Sequence, residues 1–394
     1  MSINTVISGV ESLNVSDNDL PSVERRIHMG DIHSSICGCL IGGAVGDALG
    51  TPVEFMRWSD IKRRYGEDGI QSLEKDFEQG LALISDDTQM SLFTANGLLM
   101  YDTYRTLFKE VPTIEQFIYE AYRDWYHCQC SHHIPKDNHS WLSDLQEMHE
   151  RRAPGNTCLT ALRTGEAGSI ENPINHSKGC GGIMRVALVA LWGIGKRTIE
   201  DTDLLAAQAA AITHGHPLGY MPAAALADVV SRILTGTKDM QDVIEATKDA
   251  MGFLFGSEPC LNELLRIIDK AAVLSRNNRS DVENIDAIGG GWTGEEALGI
   301  AVYCSLKYQD DFSRAVIAAV NHSGDSDSTG AIVGNIVGAR LGFEAIEGKW
   351  LRGLELKNTI LEMAHDLFEG CPVNHDSPVA NEGWKRKYVA WIKP

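Results

Sequence analysis

Two segments of the sequence carry glycine at every fourth position, and this feature constrains the fold more than any other. In ICGCLIGGAVGDALG the glycines are Gly38, Gly42, Gly46 and Gly50, and in STGAIVGNIVGARLG they are Gly330, Gly334, Gly338 and Gly342. A step of four keeps the glycines on one slowly drifting stripe of a helix. Each glycine inside a helix costs about 1 kcal/mol relative to alanine, so several in one helix require compensation.

The compensation that we expect is close backbone approach to another buried helix, as stripes of small residues permit. The two helices should therefore cross other helices in the core, with each other as one candidate partner. Glycines scattered as helix caps would not repeat the same period in two places. Dimerising membrane spans are a poor alternative, because Asp47 and Arg340 interrupt segments that are already short.

Helical spacing of apolar residues recurs through most of the rest of the chain. The clearest stretches are Gln89–Met100, Ile114–Tyr126, Leu204–Ile212, Met221–Leu234, Leu261–Leu274, Glu295–Leu306 and Ser313–Val320. Alternating strand patterns are almost absent. The pattern predicts an all-α, compact, single-domain, multi-helix fold over residues 31–394. Ser131–Trp141 and Arg276–Gly291 are predicted to be long loops.

Residues 1–30 have a different composition, with recurrent Ser, Asn and Asp and few aliphatic side chains. Pro21 interrupts any periodicity there. We expect a flexible N-terminal extension outside the folded domain.

The chain is strongly acidic, with 35 basic against 54 acidic residues and a formal net charge of −19. This balance argues against non-specific binding of nucleic acid or of anionic lipid, since both depend on Lys and Arg. No signal peptide or membrane span is evident. Nine cysteines form an odd number spread over a long chain, which favours free thiols and a cytoplasmic location over a disulfide framework.

Two acidic clusters precede predicted helices, and they lie far apart in the sequence. The first is Ser85-Asp86-Asp87-Thr88, and the second is Gly324-Asp325-Ser326-Asp327-Ser328. Acids at helix N-termini are usually caps. Paired acids repel one another unless a cation or a proton intervenes, and flanking hydroxyls would complete an all-oxygen shell. Two such clusters favour a site for two divalent cations. An EF-hand is excluded, because Ile336 stands where the bidentate Glu belongs.

A rival metal site is the cluster His127, Cys128, Cys130, His132 and His133. These side chains could supply enough ligands for zinc, but their spacing is not that of a structural zinc finger. We expect the cluster to be ordinary surface residues. A Cys-His nucleophilic enzyme is less favoured still, because nothing marks one cysteine as activated.

Six segments resemble the ADP-ribosylglycohydrolases, a family that includes ADP-ribosylarginine hydrolases and dinitrogenase reductase-activating glycohydrolases. The segments are GCLIGGAVGDALGTPVEF, SDDTQM, RAPGNTCL, SKGCGGIMR, ITHGHP and HSGDSDSTGAIVGNIVGARLG, and they run from Ile36 to about Gly342. The resemblance implies an all-α fold and a binuclear Mg²⁺ (or Mn²⁺) centre. The implied ligands are Ser85, Asp86 and Asp87 for one ion and Asp325, Asp327 and Ser328 for the other, with Asp327 bridging. Ser85 and Ser328 stand where threonine is frequent in the family, and Ser323 where glycine is frequent.

The implied chemistry is hydrolysis at the anomeric carbon of a ribose, through an oxocarbenium-like transition state. An acid near the attacking water must accept or deliver a proton. Glu54 and then Asp86 are our candidates for this catalytic role, and the choice between them depends on distances of about 3 Å that a sequence does not contain.

Substrate contacts are suggested by the resemblance at residues that would otherwise have ordinary structural explanations. Gly179, Gly181 and Gly182 could donate backbone N–H groups to a diphosphate, although glycines alone would rather indicate a turn. His214 could donate to phosphate or ribose, or simply end a helix. Asn156 could be a turn residue. Trp292 could stack on adenine, or pack at the start of a helix.

We therefore predict a metal-dependent hydrolase that removes ADP-ribose from modified protein side chains, with arginine as the favoured acceptor. An immunity-type protein is the first alternative: residues 1–30 would fold into an ADP-ribosylating toxin and block it, with or without hydrolysis. The second alternative is a hydrolase of other ADP-ribose conjugates, such as O-acetyl-ADP-ribose or the polymer.

Overall fold

A computed structural model describes residues 22–130, 140–237, 239–373 and 382–389, with side chains from residue 31 onward. The first nine helices are α1 (Ser22–Gly50), α2 (Trp58–Tyr65), α3 (Asp86–Leu107), α4 (Ile114–Cys130), α5 (Asn156–Arg163), α6 (Ala187–Gly193), α7 (Ile199–Ala211), α8 (Pro217–Leu234) and α9 (Met240–Phe255). The next eight are α10 (Leu261–Leu274), α11 (Asp281–Ile288), α12 (Gly294–Lys307), α13 (Phe312–Val320), α14 (Ser326–Leu341), α15 (Gly348–Leu351), α16 (Lys357–Glu369) and α17 (Glu382–Tyr388). Short 3₁₀ helices occur at Trp141–Asp144, Gln146–His149, Cys180–Gly182 and Phe343–Ala345.

The prediction of an all-α fold is confirmed, since no β-strand occurs in the described ranges and only two isolated bridges are found there. The helix predicted at Leu261–Leu274 has those bounds in the structure, and the others were predicted too short at one or both ends. Helix α3 gains its first turn because the Ser85 hydroxyl caps it by accepting the N–H of Asp87.

The predicted loop Arg276–Gly291 is wrong, because it contains helix α11. This helix begins with a capping box: the Ser280 side chain accepts the N–H of Glu283, and the Glu283 carboxylate accepts the N–H of Ser280. Eight residues are too few for apolar periodicity to be evident. Of the other predicted loop, residues 131–139 lie outside the described ranges.

The two glycine helices, α1 and α14, pack against each other along their glycine stripes. A Cβ atom added to Gly42 would lie 2.2 Å from the carbonyl oxygen of Gly334, and one on Gly46 would lie 1.9 Å from that of Gly330. Neither space admits a methyl group, so the backbones are as close as glycine allows. The Asn335 amide also donates to the Cys39 carbonyl oxygen across the interface, at 2.8 Å. The expected close crossing is confirmed, and each glycine helix is the partner of the other.

The pairing is antiparallel. Gly38 lies opposite Gly338 near one end of the interface, and Gly50 lies opposite Ser326 at the other. The end of α1 therefore meets the beginning of α14. This arrangement brings the turn that follows α1 close to the acidic cluster that opens α14.

The first helix begins at Ser22, inside the segment 1–30 that we expected to precede the domain. Residues 1–21 lie outside the described ranges, and so does most of that prediction. Buried side chains from α1 to α17 form one continuous hydrophobic cluster. Asp31–Gly50 is long and apolar enough to cross a membrane, but 78% of it is buried within the fold, as in core helices generally.

Candidate metal centre and its cavity

Three helix ends converge at the centre: the end of α1 and the beginnings of α3 and α14. Asp47, fully buried in the last turn of α1, accepts the backbone N–H groups of Ser85 at 3.0 Å and Thr88 at 3.1 Å. Burial and the nearby Asp327 carboxylate raise the pKa of Asp47 to about 7. Asp47 thus anchors the first acidic cluster to α1. The sequence located this residue at the helix end but did not indicate its role.

The two acidic clusters meet as expected, together with Glu54 from the turn after α1. Glu54, Asp325 and Asp327 offer carboxylate oxygens that all lie within 4.8 Å of one another. Asp86 and Asp87 line the same cavity. Burial raises the pKa of all five carboxyl groups, that of Glu54 to about 10, and repulsion from neighbouring carboxylates adds to the effect on Glu54, Asp86, Asp87 and Asp327.

Such crowding fits a site for hard divalent cations. Asp87 Oδ2 is buried and accepts no hydrogen bond from the part of the chain that is described. Buried carboxylate oxygens normally have a donor or a cation as partner. The backbone N–H of Ser328 donates to Asp327 Oδ1 at 2.9 Å and to Asp325 Oδ1 at 3.3 Å, which fixes both side chains. Among the described residues, no other group of three His, Cys, Asp or Glu side chains has this geometry.

The predicted metal ligands divide into two groups. Asp86, Asp87, Asp325, Asp327 and Ser328 line the cavity, whereas Ser85 does not. The fully buried Ser85 hydroxyl accepts the N–H of Asp87 at 3.2 Å, so in this structure it acts as a helix cap.

The cavity above the carboxylates has a volume of about 610 Å³, in the range that a nucleotide-sized ligand needs. Of the predicted substrate contacts, Asn156, Gly181 and Trp292 line it; Gly179, Gly182 and His214 lie outside the lining. Sequence reasoning missed several lining residues: Phe55, Arg151, Ala153, Pro154, Gly155, Cys180 and Met184. Most of them belong to segments that had been singled out, RAPGNTCL and SKGCGGIMR, but nothing in the pattern marked them individually.

Phe55 and Trp292 form a stacked aromatic pair at the cavity. Their ring centroids are 5.4 Å apart with planes inclined by 21°, and the side chains are 70% and 42% exposed. Phe55 has a φ of +63°, which is uncommon for a bulky residue. Since Phe55 covers one face of the Trp292 ring, a ligand base would meet both rings rather than Trp292 alone.

His214 lies beside the glycine segment, where a Cβ on Gly181 would be 3.0 Å from its ring. Arg185 donates to Thr213 Oγ1 at 2.7 Å, and Thr213 Oγ1 is 2.8 Å from His214 Nδ1. The Thr213 hydroxyl hydrogen then has Nδ1 as its acceptor, so we assign the ring proton to Nε2. Burial and the charge of Arg185 lower the pKa of His214 to about 3. His214 is therefore a neutral N–H donor at working pH.

The glycine segment itself uses part of its backbone within the protein. The N–H of Gly179 donates to Ser177 Oγ at 3.3 Å, and the N–H of Cys180 donates to the Trp292 carbonyl oxygen at 3.2 Å. The Cys180 thiol donates to Asp325 Oδ2 at 2.8 Å. Of the three glycines expected to contact a diphosphate, only Gly181 reaches the cavity.

The residues of the rival zinc cluster do not all lie on the surface. Cys128 is buried in the core on α4, while Cys130 is exposed at the end of the same helix. The interpretation of Cys128 as a surface residue is wrong, because α4 turns it towards the 3₁₀ helices that follow. His132 and His133 lie outside the described residues.

Comparison with known proteins bears on the family and the fold of this chain. Residues 29–377 match the ADP-ribosylglycohydrolase family. An ADP-ribosyl-[dinitrogen reductase] glycohydrolase from Rhodospirillum rubrum is 26% identical over 329 residues, covering 83% of this chain and 92% of the relative. ADP-ribosylhydrolase ARH3 from Homo sapiens is 24% identical over 368 residues, covering 84% and 93%.

A solved structure, described as an ADP-ribosylglycohydrolase-related protein complex, has the same fold. It superposes with a TM-score of 0.61 at 23% identity and covers 86% of this chain and 99% of its own. The family match includes every helix end that builds the acidic centre, from Asp47 to Ser328. The chain therefore belongs to the ADP-ribosylglycohydrolase family and is a glycohydrolase that removes ADP-ribose by hydrolysis.

Proposed function

We propose that this protein releases ADP-ribose from ADP-ribosylated arginine side chains of proteins, by hydrolysis of the N-glycosidic bond. The observation that carries the proposal is the charge of the cavity. In the described part of the chain, five carboxyl groups and a single basic side chain, Arg151, line it. Two divalent ions would offset the charge of four of these carboxylates, and the fifth, Glu54, suits a cationic guanidinium acceptor better than a neutral hydroxyl acceptor.

The centre is proposed to hold two Mg²⁺ (or Mn²⁺) ions. Asp86 and Asp87 would hold one and Asp325 and Ser328 the other, with Asp327 between them. When bound, the ions would orient the ribose hydroxyl groups and stabilise developing charge. An all-oxygen set suits these ions better than zinc.

The reaction breaks the bond between the anomeric carbon and the guanidino nitrogen, and the oxygen of water forms the new bond. Water loses one proton to a carboxylate, and the leaving nitrogen takes up a proton. Glu54 is the proposed proton acceptor, because it is partly exposed and faces the cavity. Burial and repulsion from the neighbouring carboxylates raise its pKa. Divalent ions bound by those carboxylates would offset the repulsion, and Glu54 would then be ionised and able to take the proton. One oxygen of Asp86 already accepts the N–H of Gly155 at 3.0 Å, so Asp86 is the second candidate.

The Phe55–Trp292 pair would bind the nucleotide, and His214, which is buried outside the cavity lining, would position the glycine segment beside it. His214 offers a fixed, neutral N–H beside the glycine segment, and the aromatic pair offers an exposed ring face to adenine. The cytoplasm is the proposed location, since all nine cysteines are free.

The test is release of labelled ADP-ribose from protein modified on arginine, with parallel samples modified on serine, poly(ADP-ribose) and O-acetyl-ADP-ribose. Each is incubated with Mg²⁺, with Mn²⁺ or with EDTA. We expect the fastest release from modified arginine, reversible inhibition by EDTA, and recovery with either metal. Preferential release from serine or from the polymer would contradict the proposed acceptor, and full activity in EDTA would contradict the metals.

A further inference from the structure

The segment that runs along one wall of the cavity is held rigidly to the start of α3. The backbone N–H of Asp86 donates to the Arg152 carbonyl oxygen at 3.0 Å, and the N–H of Gly155 donates to Asp86 Oδ2 at 3.0 Å. The Arg152 guanidinium also forms an ion pair with the buried Glu355, at 3.1 Å. Ala153, between them, has a φ of +53°. The backbone of residues 151–155 is thus fixed beside the acidic centre.

Arg151 differs from its neighbour in every respect that matters for ligand binding. Arg152 is partly buried and paired with Glu355, whereas Arg151 is exposed and lines the cavity. Within the described ranges, Arg151 makes no ion pair or hydrogen bond to another side chain or to the backbone. Among the residues that the structure describes, it is also the one basic residue in the cavity lining. Its backbone is fixed, and its guanidinium remains available.

The ligand's charges need such a group. ADP-ribose carries its two negative charges on the diphosphate, while its riboses and its adenine are neutral. The proposed divalent ions would offset the charge of the carboxylates at the ribose end of the ligand, so the diphosphate needs N–H donors and a positive charge of its own. The backbone N–H groups of Gly179 and Cys180 are engaged within the protein. A guanidinium presents a planar set of N–H donors that matches phosphate oxygens.

We propose that Arg151 binds the diphosphate of ADP-ribose and is a specificity-determining residue that selects ADP-ribosyl over uncharged ribosyl and nucleoside ligands. The inference rests on the proposed function for the identity of the ligand. Arg151 would also orient the substrate, because the diphosphate would lie along the wall formed by residues 151–155. Arg151 would repel the cationic acceptor, which would leave the cavity on another side.

The experiment measures binding of ADP-ribose and of adenosine to the full chain by calorimetry in the presence of Mg²⁺. ADP-ribose is the reaction product, so no turnover disturbs the measurement. The variants are Arg151→Ala and Arg151→Lys, with Arg163→Ala as the matched control, because Arg163 is exposed at the end of α5 and outside the cavity lining. Mn²⁺ binding and melting temperature are recorded for each variant.

We expect Arg151→Ala to bind ADP-ribose about tenfold more weakly, as loss of a charge-assisted hydrogen bond implies. Arg151→Lys should retain part of the affinity, and its dependence on salt should stay steeper than that of Arg151→Ala. Adenosine affinity, Mn²⁺ binding and melting temperature should not change, and Arg163→Ala should match the wild type. Unchanged ADP-ribose affinity in Arg151→Ala would overturn the inference, as would an equal loss in Arg163→Ala or an equal loss for adenosine.

Hydrolysis of modified arginine by the wild type is assayed in parallel, which separates the two proposals. If the wild type hydrolyses modified arginine but ADP-ribose binding does not depend on Arg151, the role of Arg151 is rejected and the proposed function is retained. If ADP-ribose binding depends on Arg151 but modified arginine is not hydrolysed, the role of Arg151 is retained and arginine is rejected as the acceptor.

Discussion

Asp325 shows how one residue can cap a helix and belong to a metal centre. One of its carboxylate oxygens accepts the N–H of Ser328 at the start of α14, and the other accepts the Cys180 thiol. Its position in the sequence is equally compatible with a cap and with a ligand. The structure shows that the two explanations do not exclude each other, because a carboxylate has two oxygens with several lone pairs.

At this scale the first prediction concerns Asp327, which belongs to the second acidic cluster and lies close enough to repel Asp86 and Asp87 of the first. Asp327→Asn should lower kcat about 100-fold or more and reduce the number of divalent ions retained per chain, because an anionic ligand becomes neutral. Asp286→Asn, at an exposed position of α11, is the control and should resemble the wild type. Steady-state kinetics and elemental analysis of the purified proteins test this. Normal turnover with normal metal content would contradict the proposed centre.

The second prediction concerns the hydrogen bonds from Arg185 through Thr213 to His214. Thr213→Val should lower kcat/KM about tenfold, because His214 loses the partner that keeps its proton on Nε2. Thr213→Ser keeps the hydroxyl and should restore activity. Nitrogen-15 NMR of the His214 ring should show protonated Nε2 in the wild type and a mixture of tautomers in the Val variant. A single unchanged tautomer in all three proteins would refute the assignment.

At the scale of helices, the α1–α14 interface positions the centre, and it depends on the absence of Cβ atoms. Gly42→Ala should lower the free energy of unfolding by about 2 kcal/mol or more, because the added methyl group overlaps the carbonyl oxygen of Gly334. Gly252→Ala is the matched control. Its Cβ on α9 would meet nothing within 4 Å, so it should instead stabilise the helix by up to about 1 kcal/mol.

Denaturant unfolding of the two variants and the wild type makes the comparison. Equal stability of Gly42→Ala and Gly252→Ala would mean that the glycine stripe is not a packing interface.

A second helix pair, α7 with α8, should make the stability of the fold depend on pH. Asp203 on α7 and Asp228 on α8 are both fully buried, and Asp228 is paired with Arg232 at 2.6 Å. Burial, followed by the charge of Asp228, raises the pKa of Asp203 to about 9; Arg232 lowers it and Glu200 raises it slightly. The unfolded chain ionises this group near pH 3.9. Between these pH values unfolding releases a proton, so stability from this group is lost as the pH rises towards 9.

Asp203→Asn removes that proton release. The melting temperature of the variant relative to the wild type should therefore rise between pH 5 and pH 9, as measured by calorimetry in matched buffers. The same difference in melting temperature at pH 5 and at pH 9 would show that unfolding does not release a proton from Asp203 in this range.

For the molecule as a whole, the described residues of the centre and of its cavity all lie between Asp47 and Ser328. A chain that begins at Ser22 should therefore hydrolyse modified arginine as fast as the full chain.

The immunity hypothesis for the N-terminal segment is a separate prediction. Stoichiometric inhibition of a cognate ADP-ribosyltransferase should weaken when that segment is removed. Equal inhibition by both chains would assign the segment no such role.

Local order along the chain was enough to predict nine of the seventeen helices in the described ranges, the two glycine helices among them. The spacing of Gly38 to Gly50 specifies which face of α1 must be approached closely, since a period of four is set by the geometry of a single helix. The two acidic clusters were predictable for the same reason, because each lies within a few residues of a helix start. Helix α11 was missed, because its evidence lies in side-chain hydrogen bonds rather than in periodicity.

Tertiary structure alone decided which residues share the cavity. A glycine stripe does not predict which helix will pack against it, or whether the pair will be parallel or antiparallel. The antiparallel pairing of α1 with α14 brings Glu54 close to Asp325 and Asp327. The same holds for Arg151 and Arg152, which are adjacent and chemically identical in the sequence. Only the position of Glu355, about 200 residues away, makes one a structural anchor and leaves the other facing the cavity. Contacts between distant segments depend on the packing of the whole core, and local spacing carries no record of them.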